Sequence, residues 1–233
     1  MKCFDAAEVK NTIDFITENK VYESRQISND GRVRSGYFVG SEKLIEELSN
    51  LKLDDFNIYI TLNELHPGCY CRKQRDHFID AKGKATPTTS ENDVIAFRWL
   101  LLDLDPVRPS GISSSDDELK HSMKVALKVI EFMSSLNFDN YIIALSGNGI
   151  HLLYRIDIPA TEENKKMLAD CLKAVNSECS DEIVKVDAVN FKKSQVCKLY
   201  GTLAQKGTNT PERPFRMSRI ISLDELKEGA SDE

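Results

Sequence analysis

Hydrophobic and polar positions recur along this chain with periods that predict a mixed α+β protein. Helical spacing is found at 5–18, 41–50, 116–135 and 162–178. Strand-like runs are found at 20–27, 32–39, 56–62, 94–104, 140–146, 150–156 and 184–190. Residues 63–92 show no period and are predicted to form a long surface loop, which in a compact domain is more often functional or mobile than idle.

The second half of the chain has the element order βαββαβ, which is typical of ferredoxin-like and RNA-recognition-motif-like folds. Right-handed crossovers place the first of these strands antiparallel to the third and the fourth. The end of strand one is therefore expected beside the beginnings of strands three and four.

Two carboxylates follow the first of these strands in the run "LLLDLDP" at 100–106. Asp103 and Asp105 are two positions apart, so their side chains point to the same face, roughly 7 Å apart along the strand. His151 begins strand three, and Asp187 in "VKVDAV" lies near the predicted start of strand four. A solvated turn before Pro106 would explain the first pair alone, but three converging carboxylates repel one another unless cations offset them. The sequence therefore favours a site for Mg²⁺ or Mn²⁺.

A tight hairpin, "ALSGNGIHLLYRID", joins strands two and three. A purely structural hairpin explains Gly147, Asn148 and Gly149, which tolerate the backbone angles of tight turns. It does not explain Ser146 and His151, the polar residues on either side of the turn. Turn amides together with a hydroxyl and an imidazole make a plausible phosphate cradle.

Composition permits one large domain or two small interlocked ones. The 233 residues are 41% hydrophobic, and their formal net charge of −6 gives no global attraction to nucleic acid. No apolar run approaches the roughly 18 residues that span a bilayer, and the opening "MKCFDAAEVK" is too polar for a signal peptide. We expect no membrane partner, and we expect a cytoplasmic location.

Positive charge is nevertheless concentrated in the segments 72–84 and 192–219. The second carries Lys192, Lys193, Lys198, Lys206, Arg213, Arg216 and Arg219 against the single acid Glu212. A solvated loop is the simpler interpretation, but the neighbouring acidic motifs favour a role in binding an anion.

Six cysteines without a C-x-x-C pair indicate reduced thiols rather than a disulfide framework. The run "HPGCYCRKQRDH" offers His66, Cys69, Cys71 and His77 as zinc ligands. Because C-x-C is an unusual spacing for a structural zinc site, zinc is not expected.

Four motifs in one order resemble those of the archaeo-eukaryotic primase superfamily, particularly the primase-polymerase domains of phages, plasmids and CRISPR-associated proteins. They are "LLLDLDPVRPSGISSSDDE", "SGNGIHLLYRID", "VKVDAV" and "KLYGTLAQKGTNTPERPFRMSRI". With "IYITLNELHP" and "TTSENDVIAFRWLLLDLD" before them, the resemblance spans roughly residues 55–222. It implies an N-terminal α/β unit, 1–92, packed on an RNA-recognition-motif-like catalytic unit, 93–233.

The resemblance also implies residue roles. Asp103, Asp105 and Asp187 match the acidic residues that bind two metal ions and carry catalysis. Nucleotide phosphates would be held by Ser146, Gly147, Asn148, His151, Lys198 and Lys206, with Arg213 and Arg216 as further nucleotide or template contacts. Members of the family often carry a helicase or accessory domain after this core, so this chain is a candidate fragment of a longer protein.

The implied activity is template-directed nucleotidyl transfer, with two Mn²⁺ or Mg²⁺ ions, nucleoside triphosphates as substrates, and single-stranded DNA template and primer as partners. Candidate template contacts are Arg72, Lys73, Arg75, Lys82, Lys84 and Arg98, with Tyr70, Phe78 and Trp99 as possible stacking partners. Two other functions stay open. One is a metal-dependent nuclease or phosphodiesterase, which has no use for a triphosphate-binding motif. The other is a non-catalytic single-stranded nucleic-acid-binding module, which usually displays aromatic residues rather than Asp-x-Asp on its central strands.

Overall fold

A computed structural model describes residues 3–188 and 191–231 of the chain. Its helices are α1 Ala6–Thr17, α2 Glu42–Asn50, α3 Asp116–Ser135, α4 Glu162–Cys179 and α5 Leu223–Ala230. Its strands are β1 Tyr22–Ser28, β2 Val33–Phe38, β3 Phe56–Thr61, β4 Glu64–Leu65, β5 Ile79–Asp80, β6 Val94–Pro106, β7 Tyr141–Leu145, β8 Ile150–Pro159, β9 Val184–Val186, β10 Val196–Lys198, β11 Leu203–Ala204, β12 Arg216–Met217 and β13 Arg219–Ile221.

Local sequence signals account for where the predicted helices begin. Asp5 accepts hydrogen bonds from the amides of Ala7 and Glu8 and so caps α1. Ser115 and Glu118 form the reciprocal capping box predicted for α3. The predicted helices and most of the predicted strands are thus confirmed to within a few residues.

Most of the strands form two sheets. The first has the order β10-β3-β1-β2-β5, and every neighbouring pair in it is antiparallel. The second has the order β13-β7-β8-β6-β4, with β9 also paired to β6. As predicted, β6 is antiparallel to both β8 and β9.

The predicted strand at 184–190 is shorter than expected. β9 ends at Val186, so Asp187 lies just after this strand rather than near its start. Residues 189 and 190 of the prediction lie outside the described residues.

The segment 63–92 is more ordered than a surface loop. It contains β4 and β5, and Gln74 and Thr89 within it are buried. The buried carboxylate of Glu23 accepts a 2.9 Å hydrogen bond from the amide of Thr89, while Arg25 donates to the Thr89 carbonyl at 3.1 Å. These long-range polar contacts have no periodic signature, which is why the sequence pattern missed them.

Strand β6 is buried on both faces, which explains its nearly continuous apolar run. Leu100, Leu102 and Leu104 belong to the core formed with α3 and α4. Trp99 and Leu101 alternate with them and belong to a second core, which includes α1 and the first sheet. The face of β6 that carries Trp99 and Leu101 therefore lies against the N-terminal half of the chain.

Short strands pair across the predicted division near residue 92. β10, from the second half of the chain, pairs with β3, and β4, from the first half, pairs with β6. The division into two units stays a prediction. Among the described residues, no helix combines the length and the apolar character needed to cross a membrane.

Candidate active site

The apolar contact between the two halves of the chain ends at a cavity of about 200 Å³. Asp103 and Asp105 follow Trp99 and Leu101 on the same face of β6, so they line this cavity rather than the core. The lining residues are Asn57, Tyr59, Leu101, Asp103, Asp105, Ser146, Asn148, His151, Asp187, Gln195, Val196, Cys197, Lys198, Ala204 and Lys206.

A second cavity, of about 450 Å³, lies on the other side of the carboxylates. It is lined by Asp103, Asp105, Pro106, Val107, Arg108, Asn176, Lys185, Val186, Asp187 and Ala188. All three predicted metal ligands line both cavities, so they form the wall that the two cavities share.

His151 lies opposite Asp103 in the pairing of β8 with β6. Its Nε2 is 3.4 Å from Oδ1 of Asp103, and its Nδ1 is 2.9 Å from the hydroxyl of Tyr200. Asp103 Oδ1 is itself buried, and apart from this long contact with His151 it has no hydrogen-bond partner among the described residues. A buried carboxylate oxygen without a partner is costly, so this atom marks a place where a ligand would be stabilised.

Backbone pairing brings the third acid to the first two. The amide of Asp187 donates a 2.8 Å hydrogen bond to the carbonyl oxygen of Asp103, and the Asp187 side chain is exposed. Asp105 is paired with Arg108, whose Nη2 lies 3.2 Å from Oδ2. The predicted convergence of these three acids at one edge of the sheet is thus present in the fold.

The charges around Asp103 and Asp105 affect the two carboxyls differently. Burial alone would raise the pKa of Asp103, but His151, Lys206 and Arg108 outweigh it and hold this pKa below its usual value. Burial and the neighbouring charge of Asp103 raise the pKa of Asp105 despite Arg108 and Lys206. The site therefore holds one readily ionised carboxyl and one that gains from an additional cation.

The donor atoms at this wall suit a hard divalent cation. Within residues 3–188 and 191–231, no group of three or more His, Cys, Asp or Glu side chains is arranged so that it could hold a metal ion. Mg²⁺ is commonly held by one or two carboxylates together with water and substrate phosphates, which an Asp-x-Asp pair on an open cavity can provide. The unpartnered Oδ1 of Asp103 and the raised pKa of Asp105 both fit such an ion.

The hairpin turn is fitted closely to its surroundings. The Ser146 hydroxyl accepts a 3.0 Å hydrogen bond from the amide of Gly149, and Asn148 Oδ1 accepts one of 3.0 Å from the amide of Ser114. Gly147 has a φ of +100°. A Cβ on Gly149 would lie 2.2 Å from the carbonyl oxygen of Leu104, next to the carboxylate pair. These glycines allow the turn to reach the edge of β6, where Ser146 and Asn148 line the first cavity.

Two of the predicted lysines also line the first cavity. Lys198 is 4% exposed, donates a 2.9 Å hydrogen bond to the carbonyl oxygen of Leu203, and has its pKa lowered by burial to about 7. Lys206 follows β11, and its carbonyl oxygen accepts from the Ser113 hydroxyl at 3.1 Å. The side chain of Lys198 and the backbone of Lys206 thus make contacts that hold both residues at the cavity. The basic composition alone did not indicate these contacts.

The predicted arginine contacts are placed differently. Arg213 forms two 2.8 Å hydrogen bonds with the carboxylate of Glu118, and Arg216 pairs with Asp116 at 2.6 Å. In the described part of the chain, neither side chain lines the two cavities at the carboxylates. Both instead attach the C-terminal segment to the beginning of α3.

The candidate template residues lie away from the lining of both cavities. Arg72 pairs with Asp93, Arg75 with Asp76, and Arg98 with Glu64 and Asp157, whereas Lys73, Lys82 and Lys84 are exposed. Phe78 and Trp99 pack against the core, and Tyr70 donates to Asp76 at 2.8 Å. Their proposed role in binding template stays a prediction.

Sequence reasoning missed the wall opposite the carboxylates. Asn57 and Tyr59 on β3 line the first cavity, and burial together with the nearby carboxylates raises the pKa of Tyr59 to about 12. The backbone amide of Gln205 donates a 2.8 Å hydrogen bond to Asn57 Oδ1. This contact attaches the segment that carries Lys206 to β3. The available signal was the alternation of apolar and polar positions along β3, which predicts a half-buried strand but not what covers its polar face.

Comparison with known proteins gives structural matches only. The structure of primase RepB′ matches with a TM-score of 0.50 and 9% sequence identity, over 97% of this chain and 62% of that chain. The polymerase domain of Ligase D from Mycobacterium tuberculosis, in complex with DNA, matches with a TM-score of 0.53 and 12% identity, over 99% of this chain and 83% of that chain. No family model and no curated protein matches the sequence. This chain thus spans about three fifths of the RepB′ structure.

At these identities the likeness concerns the fold alone, and it agrees with the fold that the sequence motifs imply. The chain shares its α+β fold with the structures of primase RepB′ and the Ligase D polymerase domain.

Proposed function

We propose that this protein is a template-directed nucleotidyltransferase of the primase-polymerase type. The observation that carries the proposal is the wall of Asp103, Asp105 and Asp187 shared by two cavities. A transfer reaction needs two substrates that meet at one metal site, and two cavities that meet at one set of carboxylates suit that need.

The first cavity suits the triphosphate of a nucleotide. Lys198 and Lys206 supply positive charge, and the hairpin turn supplies the Ser146 hydroxyl and the imidazole of His151. Charge-assisted hydrogen bonds from such groups orient phosphates and offset their charge. Asn57 and Tyr59, on the opposite wall, are then available to the sugar or base.

The second cavity suits the strand that carries the attacking hydroxyl. Lys185 is exposed beside it, and Val107 is an exposed apolar side chain on its rim. A lysine that can contact a phosphate and an apolar side chain that can contact a sugar or base are appropriate for the end of a nucleic-acid strand.

In the proposed reaction the 3′-oxygen forms a bond to the α-phosphorus and the hydroxyl proton passes to water. The bond between the α-phosphorus and the bridging oxygen breaks, so that pyrophosphate leaves. Divalent cations held by Asp103, Asp105 and Asp187 would, when bound, lower the pKa of the hydroxyl and offset charge on the leaving group. The chain's own part is to place the reactants: Lys198 and Lys206 offset the charge of the triphosphate, His151 donates a hydrogen bond to it, and the turn fixes its position.

The finer features of this proposal rest on the sequence motifs and the site together. They comprise the choice of Mn²⁺ or Mg²⁺, nucleoside triphosphates as substrates, single-stranded DNA as template, and the phage, plasmid or CRISPR-associated type. A nuclease would use the carboxylates but has no use for a triphosphate-binding cavity, and a non-catalytic binding module has no use for the carboxylates.

One gel assay separates these functions. A 5′-labelled primer on a longer template is incubated with nucleotides and Mn²⁺, using the parent, Asp103→Asn with Asp105→Asn, and Asp170→Asn as a control on an exposed carboxylate of α4. Lengthening by the parent and the control only supports transfer. Shortening would identify a nuclease, and binding without any change of length a non-catalytic module.

A further inference from the structure

A buried phenol lies directly behind the histidine of the proposed nucleotide site. Tyr200 is 0% exposed, and its hydroxyl is 2.9 Å from Nδ1 of His151. The two rings meet edge to face, with centroids 5.8 Å apart and an interplanar angle of 62°. Tyr200 is therefore well placed to act on the cavity through His151.

The surroundings of His151 determine which ring nitrogen carries the proton. Its Nε2 faces Oδ1 of Asp103 at 3.4 Å, and an ionised carboxylate only accepts hydrogen bonds. A neutral ring with its proton on Nε2 turns a donor toward this carboxylate and offers Nδ1 as an acceptor. The Tyr200 hydroxyl is the group that can donate to it.

The phenol is suited to be that donor. Burial raises the pKa of Tyr200 well above its usual value, so the hydroxyl keeps its proton at neutral pH. Its other polar neighbour is the thiol of Cys197, and sulfur is a weak acceptor compared with an imidazole nitrogen.

We infer that Tyr200 is a positioning residue: its hydroxyl fixes the ring orientation and the tautomer of His151, so that Nε2–H is presented to the cavity. The tautomer follows from contacts within the chain, whereas its use in binding phosphate rests on the proposed function. A donor held in place before the nucleotide arrives loses less entropy on binding it.

The alternative is that Tyr200 merely fills the core, since its ring also packs against the second apolar cluster. Replacing it by phenylalanine keeps the ring and removes only the hydroxyl. Tyr154 offers a matched control, because it lies on β8 three residues after His151, is 1% exposed, and has a buried hydroxyl without a hydrogen-bond partner in the described part of the chain.

The first test is the long-range ¹H–¹⁵N spectrum of the histidine rings, which distinguishes the two neutral tautomers and the charged ring. The chain has only four histidines, so loss of one set of signals in His151→Gln assigns this residue. We expect the Nε2-protonated tautomer in the parent and in Tyr154→Phe, and a mixture of forms in Tyr200→Phe. A proton on Nδ1 in the parent, or a spectrum unchanged in Tyr200→Phe, would overturn the inference.

The second test is nucleotide binding during synthesis. We expect the nucleotide KM to rise roughly fivefold to tenfold in Tyr200→Phe with a smaller change in kcat, as for loss of one hydrogen bond, and to stay unchanged in Tyr154→Phe. Equal effects of the two variants would mean that Tyr200 only packs. If the parent made no product but its tautomer depended on Tyr200, the proposed function would fail and the assignment of Tyr200 would stand.

Discussion

The amide of Asp187 donates a 2.8 Å hydrogen bond to the carbonyl oxygen of Asp103. This contact extends the antiparallel pairing of β9 with β6 by one residue. Two acids 84 positions apart are thus joined through their backbones, and this contact does not depend on their side chains. The acidic wall, formed by Asp103, Asp105 and Asp187, is therefore positioned by the pairing of the strands. Its side chains can be substituted without unfolding the sheet.

Divalent cations should stabilise the parent protein. Asp103 and Asp105 repel each other, and a bound ion offsets both charges. At a Mn²⁺ concentration 100-fold above its Kd the gain is about 2.7 kcal/mol, or roughly 5–10 °C in Tm for a chain of this size. Thermal melts with and without Mn²⁺ measure it.

Asp103→Asn should abolish this shift, whereas Asp170→Asn, on the exposed surface of α4, should keep it. An equal shift in all three proteins would show that the stabilising ion binds away from the acidic wall.

Gly149→Ala should impair both the fold and the site. Its new Cβ would lie 2.2 Å from the Leu104 carbonyl oxygen and 3.0 Å from Asp105 Oδ1, so β6 must shift beside the carboxylates. We expect a loss of roughly 1–3 kcal/mol in the free energy of unfolding, measured in urea, with little remaining activity.

Gly31→Ala is the matched control, because its Cβ would meet nothing within 4 Å and only its φ of +86° is unfavourable. This substitution should lower the free energy of unfolding by about 1 kcal/mol and leave synthesis unchanged. If Gly149→Ala behaved like Gly31→Ala, the turn would not constrain the acidic wall.

Lys206 and Arg213 should contribute unequally to nucleotide affinity, although both belong to the same basic segment. Lys206 lines the first cavity, whereas Arg213 is engaged by both oxygens of Glu118. We expect Lys206→Gln to weaken nucleotide binding roughly tenfold or more, and Arg213→Gln less than about threefold. Titration with a labelled nucleotide measures both, and the reverse order would place the triphosphate near α3 instead.

Lys198→Met should stabilise the protein in a pH-dependent way. Burial lowers the pKa of Lys198 from its ordinary 10.5 to about 7, so between these values the folded state holds fewer protons than the unfolded chain. The buried lysine therefore lowers the free energy of unfolding of the parent fully below pH 7, and this effect disappears as the pH rises toward 10.5. We expect the variant to gain on the order of 3 kcal/mol in the free energy of unfolding at pH 7 and much less at pH 10.

Urea unfolding of parent and variant at both pH values measures this difference, with Lys173→Met, an exposed residue of α4, as a control that should change little at either pH. The same Lys198→Met variant should bind nucleotide more weakly, because it loses a charge at the cavity. A variant less stable than the parent at pH 7 would mean that the ammonium group is stabilised by the fold.

The sequence predicted the second half of this fold well, for identifiable reasons. The capping box at Ser115 and the long amphipathic pattern define α3, and the βαββαβ order with right-handed crossovers leaves few possible arrangements of strands. That order is sufficient to bring His151 and Asp187 beside Asp103. The proximity of the acids could therefore be predicted without a structure.

Other features depend on contacts between the two halves of the chain, which no local pattern encodes. The pairing of β10 with β3 buries Lys198, and the packing of that region brings Tyr200 to His151. Asn57 and Tyr59 alternate with core residues along β3, as in any half-buried strand. Only the position of the second sheet shows that the face with these two residues lines a cavity.

The most direct test of the central claim is addition of one nucleotide to a primer on four templates that differ only at the first unpaired base. Each nucleotide is supplied separately with Mn²⁺, to the parent and to Asp103→Asn with Asp105→Asn. The proposed function predicts that the parent adds the complementary nucleotide on each template and that the variant adds none. Addition by the variant, addition that ignores the template, or no addition by the parent would contradict it.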